Sequence, residues 1–283
     1  MELRFEKYEG IGNDFLVVDG NDEAARALSP EVVRALCDRH RGVGGDGVLI
    51  VGTTPRLSMR VINADGSIPE MCGNGLRCVA LHVRRAGLSA SPSFVVDTDA
   101  GPHECHVSSA DVEALVEVEM RVPTLVPSAV PVVSDGPLVD GTFPVDDRSL
   151  AVTCVSMGNP HVVTFDDVGD ARFSLGPRLE RDPRFPEGVN VGFARPRGDG
   201  GLVLHVFERG AGWTEACGTG ACAAAVAAVE TGRAARGTPI PVRLPGGELV
   251  IRVGAEGERV RMTGPARHVF SGRVDLSRFG GGR

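Results

Sequence analysis

Lysine is almost missing from this chain of 283 residues: Lys7 is the only one. Chemistry that carries a pyridoxal cofactor as an imine on lysine has one possible anchor, which disfavours that route. Aromatic residues are 5% against 42% hydrophobic overall, so cores must be built from aliphatic side chains. Positive charge is not in excess either. The net charge is −7 and no dense basic run occurs, so neither nucleic acid nor an anionic membrane is expected as a partner. No apolar stretch reaches the roughly 18 residues needed to cross a bilayer. The longest, Ala221 to Val229, is too short and reads as a buried helix. Residues Met1 to Lys7 are charged throughout, unlike the apolar core of a signal peptide. Seven cysteines without an export signal fit free thiols in a reducing cytoplasm better than a disulfide framework.

What the chain has is glycine and a repeat. The 38 glycines and 19 prolines imply many turns between short strands, and the length predicts two domains. Met71-Cys72-Gly73-Asn74-Gly75 in the first half is matched by Ala216-Cys217-Gly218-Thr219-Gly220 in the second. Each is a Cys followed by Gly-x-Gly that opens onto an apolar, helix-like run. Gly12-Asn13-Asp14-Phe15 and Gly158-Asn159-Pro160-His161 echo one another at nearly the same offset. Two landmarks repeating at one offset point to an internal duplication, with two lobes sharing one site.

In order, strands are expected at 2–8, 15–19, 48–51 and 58–63, with several more from 93 to 122. Ser29-Pro30-Glu31 starts a helix that runs to about Arg39, with Ser as N-cap and Pro at N1. The GxGxxG at 42–47 follows a helix and precedes a strand, the reverse of a dinucleotide fingerprint, and reads as a tight turn. A helix spans about 74–86 and stops at Gly87. His103-Glu104-Cys105-His106 matches no zinc spacing and reads as strand alternation, so no metal is expected. The five prolines between 123 and 144 mark the crossing between lobes. The second lobe has strands near 150–156, 161–166, 188–193 and 201–208. An irregular stretch at 176–187, a helix from Gly218 to Gly232 and four β-like segments in 239–270 complete it. The fold class is therefore α+β: two pseudo-symmetric lobes, each a curved mixed sheet or open barrel wrapped around a central helix.

A Cys just before a helix meets unsatisfied first-turn amides and the positive end of the helix dipole. Both favour thiolate and move a thiol from about 8.5 toward roughly 3.5–7.5. The glycines let the backbone approach a ligand, and free amides hold a carboxylate. Two such units suit inversion at a carbon beside a carboxylate. One thiolate removes the α-proton while the opposing thiol delivers another to the other face, with no cofactor. Against this stands the commonest fate of a free Cys, a small buried hydrophobe. Cys37, Cys78, Cys105, Cys154 and Cys222 lack the motif and are assigned to packing.

The chain resembles the diaminopimelate epimerase family through an ordered set covering nearly its whole length. The set comprises residues 10–15, Asn63 to Ser67, 71–78, 158–161, Asn190-Val191, 208–212 and 216–222. The resemblance implies a pyridoxal-independent epimerase of lysine and peptidoglycan-precursor synthesis, with Cys72 and Cys217 as the acid/base pair. It implies that Gly73, Asn74, Gly218 and Thr219 hold the reacting carboxylate, with His161 in a supporting role and Glu208 near the reacting centre. Asn13, Asn63, Asn159, Asn190 and Arg209 are the other implied ligands of diaminopimelate. With the crossing placed at the prolines the lobes are 1–122 and 123–264, and the resemblance further implies a last strand near 265–277 that returns to the first lobe, and a homodimer. For Asn13 and Asn63 a turn role remains open, for His161 a core role, and for Arg209 a surface ion pair with Glu208.

Two departures stand out. The family often has Gln where this chain has Gly47. It also commonly has Gly-Glu-Thr where this chain reads Gly212-Trp213-Thr214, so the single Trp is expected to pack against the closing lobe without changing the reaction. The rival readings are a two-cysteine proline or hydroxyproline racemase, a non-catalytic relative with structural thiols, and a nucleotide-dependent oxidoreductase.

Overall fold

The computed structural model describes residues 1–279. Strands β1 (Glu2–Gly10) and β2 (Asn13–Asp19) lead into two short helices, α1 (Glu23–Arg26) and α2 (Pro30–Cys37). Strands β3 (Gly47–Gly52) and β4 (Ser58–Asn63) precede helix α3 (Gly73–Arg85), and β5 (Ser93–Thr98), β6 (Gly101–Val107) and β7 (Glu113–Glu119) follow it. Next come β8 (Gly141–Val145), β9 (Arg148–Ser156), β10 (Pro160–Thr164) and helix α4 (Arg172–Glu180). Strands β11 (Asn190–Pro196), β12 (Leu202–Glu208) and β13 (Gly212–Thr214) lead to helix α5 (Gly218–Glu230). Strands β14 (Pro239–Leu244), β15 (Gly247–Arg252) and β16 (Arg261–Asp275) end the succession.

The chain divides into two compact units, Met1–Val118 with the segment from Gly264, and Glu119–Thr263. In the first, the strands run in order β1 to β7 and then β16, and β16 pairs back onto β1 to close an eight-stranded barrel. Pairs β2–β3 and β4–β5 are parallel, so the barrel is mixed. In the second unit the order is β16-β15-β14-β12-β11-β10-β9-β8, with β10–β11 and β12–β14 parallel. The fold is mixed α+β throughout.

Each sheet wraps a helix, and the contacts show it. Helix α3 touches β1, β2, β3, β4 and β6, while α5 touches β9, β10, β11, β12, β14 and β15. Leu76, Val79, Ala80 and Val83 of α3 are fully buried, as are six alanines of α5 between Ala221 and Ala228. A helix apolar on all sides belongs inside a core, and alanine lets the strands lie close against it.

Local signals act as their chemistry dictates. Ser29 Oγ accepts from Val32 N–H at 3.3 Å to start α2. The 42–47 turn stops that helix: Val43 and Gly44 N–H both bond Leu36 O, and Gly44 has φ +85°. Along β6, His103 and Cys105 are buried while Glu104 and His106 are exposed. Among the described residues no group of three metal-binding side chains converges.

Three sequence expectations change. The stretch from 176 is not irregular at first: α4 runs through Pro177 to Glu180. Leu175 and Leu179, one turn apart and both buried in the second unit's core, offset the roughly 3 kcal/mol that an internal proline costs. Residues 239–270 hold three strands, not four, because Gly257 at φ +80° and Ala255 N–H bonding Glu258 Oε2 turn the chain before β16. The proline-rich segment is also more than a crossing. Val130 and Val132 pack in the second unit's core, and Thr124 bridges Ser156.

Candidate active site

Each unit carries a cysteine at the same structural position. Cys72 is the N-cap of the 13-residue α3, and its Sγ accepts from Gly75 N–H at 3.4 Å. Cys217 is the N-cap of the 13-residue α5, and its Sγ accepts from Gly220 N–H at 3.4 Å. The second glycine of the motif has a packing reason in both. A Cβ on Gly75 would lie 2.9 Å from Leu49, and one on Gly220 would lie 3.1 Å from both Val206 and the Cys217 sulfur. The other five cysteines are buried free thiols.

Around Cys72, the first unit assembles a polar cluster. Asn13 Nδ2 donates to Asp46 Oδ2 at 2.8 Å, Asn74 Nδ2 donates to Asn13 Oδ1 at 2.5 Å, and Arg77 Nη1 donates to Asn74 Oδ1 at 2.9 Å. Behind it lie Asp14, Arg39 and Lys7. Burial alone would raise the Asp14 carboxyl, but hydrogen bonds and charge from Arg39 and Lys7 outweigh it and hold the group below the usual range. Gly73 is buried at the first turn of α3. Asn63 faces Gly47 across β3–β4, and its Nδ2 donates to Ser67 Oγ at 2.9 Å, so its side chain closes the local turn. At Gly47 a Cβ would come within 2.7 Å of Ile62 O, so this backbone leaves no room for a side chain here.

The second unit joins its candidates into one network. Cys217 Sγ donates to Glu208 Oε2 at 3.2 Å and lies 3.7 Å from Thr219 Oγ1. Asn159 Nδ2 donates to Thr219 Oγ1 at 3.3 Å, and Asn159 Oδ1 lies 3.0 Å from His161 Nε2. With the asparagine nitrogen turned to Thr219, its oxygen must accept, so His161 carries its proton on Nε2. Asn190 Nδ2 donates to Pro160 O at 2.9 Å and its Oδ1 accepts from Arg209 N–H at 3.0 Å. The Arg209 side chain is exposed, with Nη1 donating to Glu187 O at 2.9 Å. Gly218 is buried at the start of α5.

Two expectations about this network are corrected. Cys217 does not have a lowered pKa. Burial, then the charge and hydrogen bond of Glu208, push its thiol well above the ordinary value, outweighing the help from Thr219 and Gly220 N–H. Trp213 does not wait for a closing lobe. Its ring meets Phe173, Phe193 and Phe207 at centroid distances of 5.5, 5.9 and 5.4 Å, all within its own unit. That cluster pins β13, whose Thr214 hydroxyl donates to Glu208 Oε1 at 2.6 Å. Thr214, Asp46 and Arg77 bond directly to the candidate residues and were not singled out in the sequence. Only Arg77 left a signal, as the one charge between Gly73 and Leu81 of α3.

Burial, helped by the nearby Arg209 charge, pushes His161 down from 6.5 to about 3. The unfolded chain therefore binds the extra proton between those values, and stability falls as pH drops from about 6.5 toward 3. For one group the slope is at most about 1.4 kcal/mol per pH unit. Urea unfolding at pH 7, 5.5 and 4.5 is expected to show this loss, and His161→Phe to flatten it. An unchanged pH slope in the variant would show that other groups carry the acid sensitivity.

Comparison with known proteins identifies the family and the fold. The profile of the diaminopimelate epimerase family matches residues 5–126 and 153–269. A diaminopimelate epimerase of Thermosynechococcus vestitus is 44% identical over 97% of this chain and 100% of its own length. One of Acaryochloris marina is 43% identical, covering 96% and 98%. Among solved structures, a probable proline racemase from Agrobacterium radiobacter has TM-score 0.72 at 17% identity, covering 98% of this chain and 94% of its own. A hydroxyproline epimerase from Agrobacterium vitis has TM-score 0.69 at 15% identity, covering 96% and 92%. At such identities the two structures speak for the fold alone.

Proposed function

Since the chain belongs to the diaminopimelate epimerase family, and is thus an isomerase, we propose that it interconverts LL- and meso-diaminopimelate through two thiols, Cys72 and Cys217, without a cofactor. One observation carries the reading: each unit presents a thiol as N-cap of a 13-residue buried helix, with the same amide hydrogen bond to sulfur. A sulfur so placed stands among first-turn amides able to hold the carboxylate of the reacting carbon and the charge that develops on it.

The proton inventory follows from Glu208. A Cys217 thiolate would face that carboxylate at hydrogen-bond distance, so Cys217 rests as the thiol. The resting thiolate then falls to Cys72. Its sulfur takes the α-proton, Cys217 gives its own proton to the opposite face, and repulsion from Glu208 favours reprotonation of the spent Cys217. In the reverse direction the roles exchange. Asn13, Asn74, Asn159, Asn190 and Arg209 supply donors and acceptors suited to a substrate with a carboxylate and an ammonium at each end. Asn63 belongs to the same set by family resemblance. Family membership also carries the expectation of a cytoplasmic homodimer serving lysine and peptidoglycan-precursor synthesis.

The test is solvent exchange. In D₂O under reducing conditions, LL-diaminopimelate is expected to gain one α-deuterium at the inverted centre, while L-proline remains unlabelled. Inversion of proline with none of diaminopimelate would overturn the substrate and leave the two-thiol chemistry standing.

A further inference from the structure

We propose that Asp46 and Arg77 are positioning residues that fix which way the Asn13 and Asn74 amides face, and that the Lys7–Asp14–Arg39 cluster holds Asp46 for that purpose. The proposal rests on the reading of Asn13 and Asn74 as substrate ligands.

An asparagine amide is nearly symmetric in shape and opposite in polarity at its two ends, so packing alone does not choose its orientation. A carboxylate only accepts and a guanidinium only donates. With Asp46 at one end of the row, Asn13 must turn Nδ2 toward it and Oδ1 toward Asn74. With Arg77 at the other end, Asn74 must turn Oδ1 toward the guanidinium and Nδ2 toward Asn13. The two end groups thus agree on one arrangement. Reversing either amide sets nitrogen against nitrogen or oxygen against oxygen.

The end groups are themselves held. Arg39 Nη2 bridges Asp46 Oδ1 at 2.7 Å and Asp14 Oδ1 at 2.5 Å. Asp14 N–H donates to Asp46 Oδ2 at 3.0 Å. Lys7, the one lysine of the chain, ion-pairs Asp14 and donates to Gly44 O at 2.5 Å. Arg77 is fully buried, and its Nε donates to Pro265 O at 3.3 Å. Lys7 and Arg77 are buried charges, a weak source of stability compared with apolar packing. What such a chain of groups supplies is a defined orientation, here at the two asparagines beside Cys72.

The experiment combines kinetics with a reading that needs no turnover. In Asp46→Asn and Arg77→Met, KM for diaminopimelate is expected to rise tenfold or more while kcat falls less, and Arg77→Lys, which keeps a donor-only cation, to recover most of the loss. Cys105→Ala, buried outside the row, is expected to lower Tm and leave KM alone. Side-chain amide signals in ¹⁵N NMR, assigned through Asn13→Ala and Asn74→Ala, are expected to move in both Asp46→Asn and Arg77→Met. If those signals stay in place, or if KM tracks Tm alike in all variants, the proposal is overturned. Amide signals that move in an enzyme inactive on diaminopimelate would support the orienting row and sink the substrate assignment instead.

Discussion

Cys217→Ala is expected to lower stereoinversion of diaminopimelate by about 10³-fold or more, at the upper part of the range for loss of a positioned acid or base. The loss should not be uniform across the reaction. The variant keeps Cys72 and the amides of the α3 first turn, so it retains the group that removes one α-proton. That thiol can return a deuteron from solvent to the face it came from. Slow exchange with retention is therefore expected from one stereoisomer, and neither exchange nor inversion from the other. Cys72→Ala should give the mirror result. Mass spectrometry of each isomer incubated in D₂O, with chiral separation, reads both quantities together. Inversion at the wild-type rate in either variant would remove that cysteine from the obligatory pair.

Glu208→Gln is expected to separate the acid role of Cys217 from its mere presence. Burial raises the Cys217 thiol first, and the Glu208 charge and hydrogen bond raise it further. An isosteric amide keeps the shape and removes the charge, so the thiol should ionise at lower pH. Peptide-resolved alkylation of Cys217 with iodoacetamide should show its onset move to lower pH, with Cys72 as the internal reference. Turnover in the direction that needs Cys217 protonated should fall about 10²-fold or more, and its pH profile should shift the same way. An unchanged alkylation profile would mean that Glu208 acts on substrate and not on sulfur.

How much of this could be read in advance depends on the range of the physics involved. A Cys before Gly-x-Gly and an apolar run is a local helix start, and Cys72 and Cys217 are the N-caps that this pattern predicts. Ser29 and Gly87 mark helix ends for equally local reasons. The raised Cys217 pKa has no local signature, because it comes from the depth of burial and from a carboxylate nine residues upstream. Thr214 is hidden in the same way, since only the hairpin of β12 and β13 aims it at Glu208. Proline chemistry argues against helix near 177, yet two leucines facing a core prevail over it. Asn63 makes the local bond that its turn chemistry suggested, from Nδ2 to Ser67 Oγ, and a ligand role has no local signature to read.

The last strand sets an order of assembly. Glu2 of β1 pairs with Asp275, and Tyr8 with His268, so β1 waits for β16, a strand made after all the other described strands. Nascent chains generally fold from the N-terminus as domains emerge. Here the first-made unit leaves the ribosome with a gap in its barrel that only the end of β16 can fill, while the later unit has all its strands once Thr263 is made. The half begun first is thus the half finished last, and until then β1 is an unpaired edge open to the wrong neighbour.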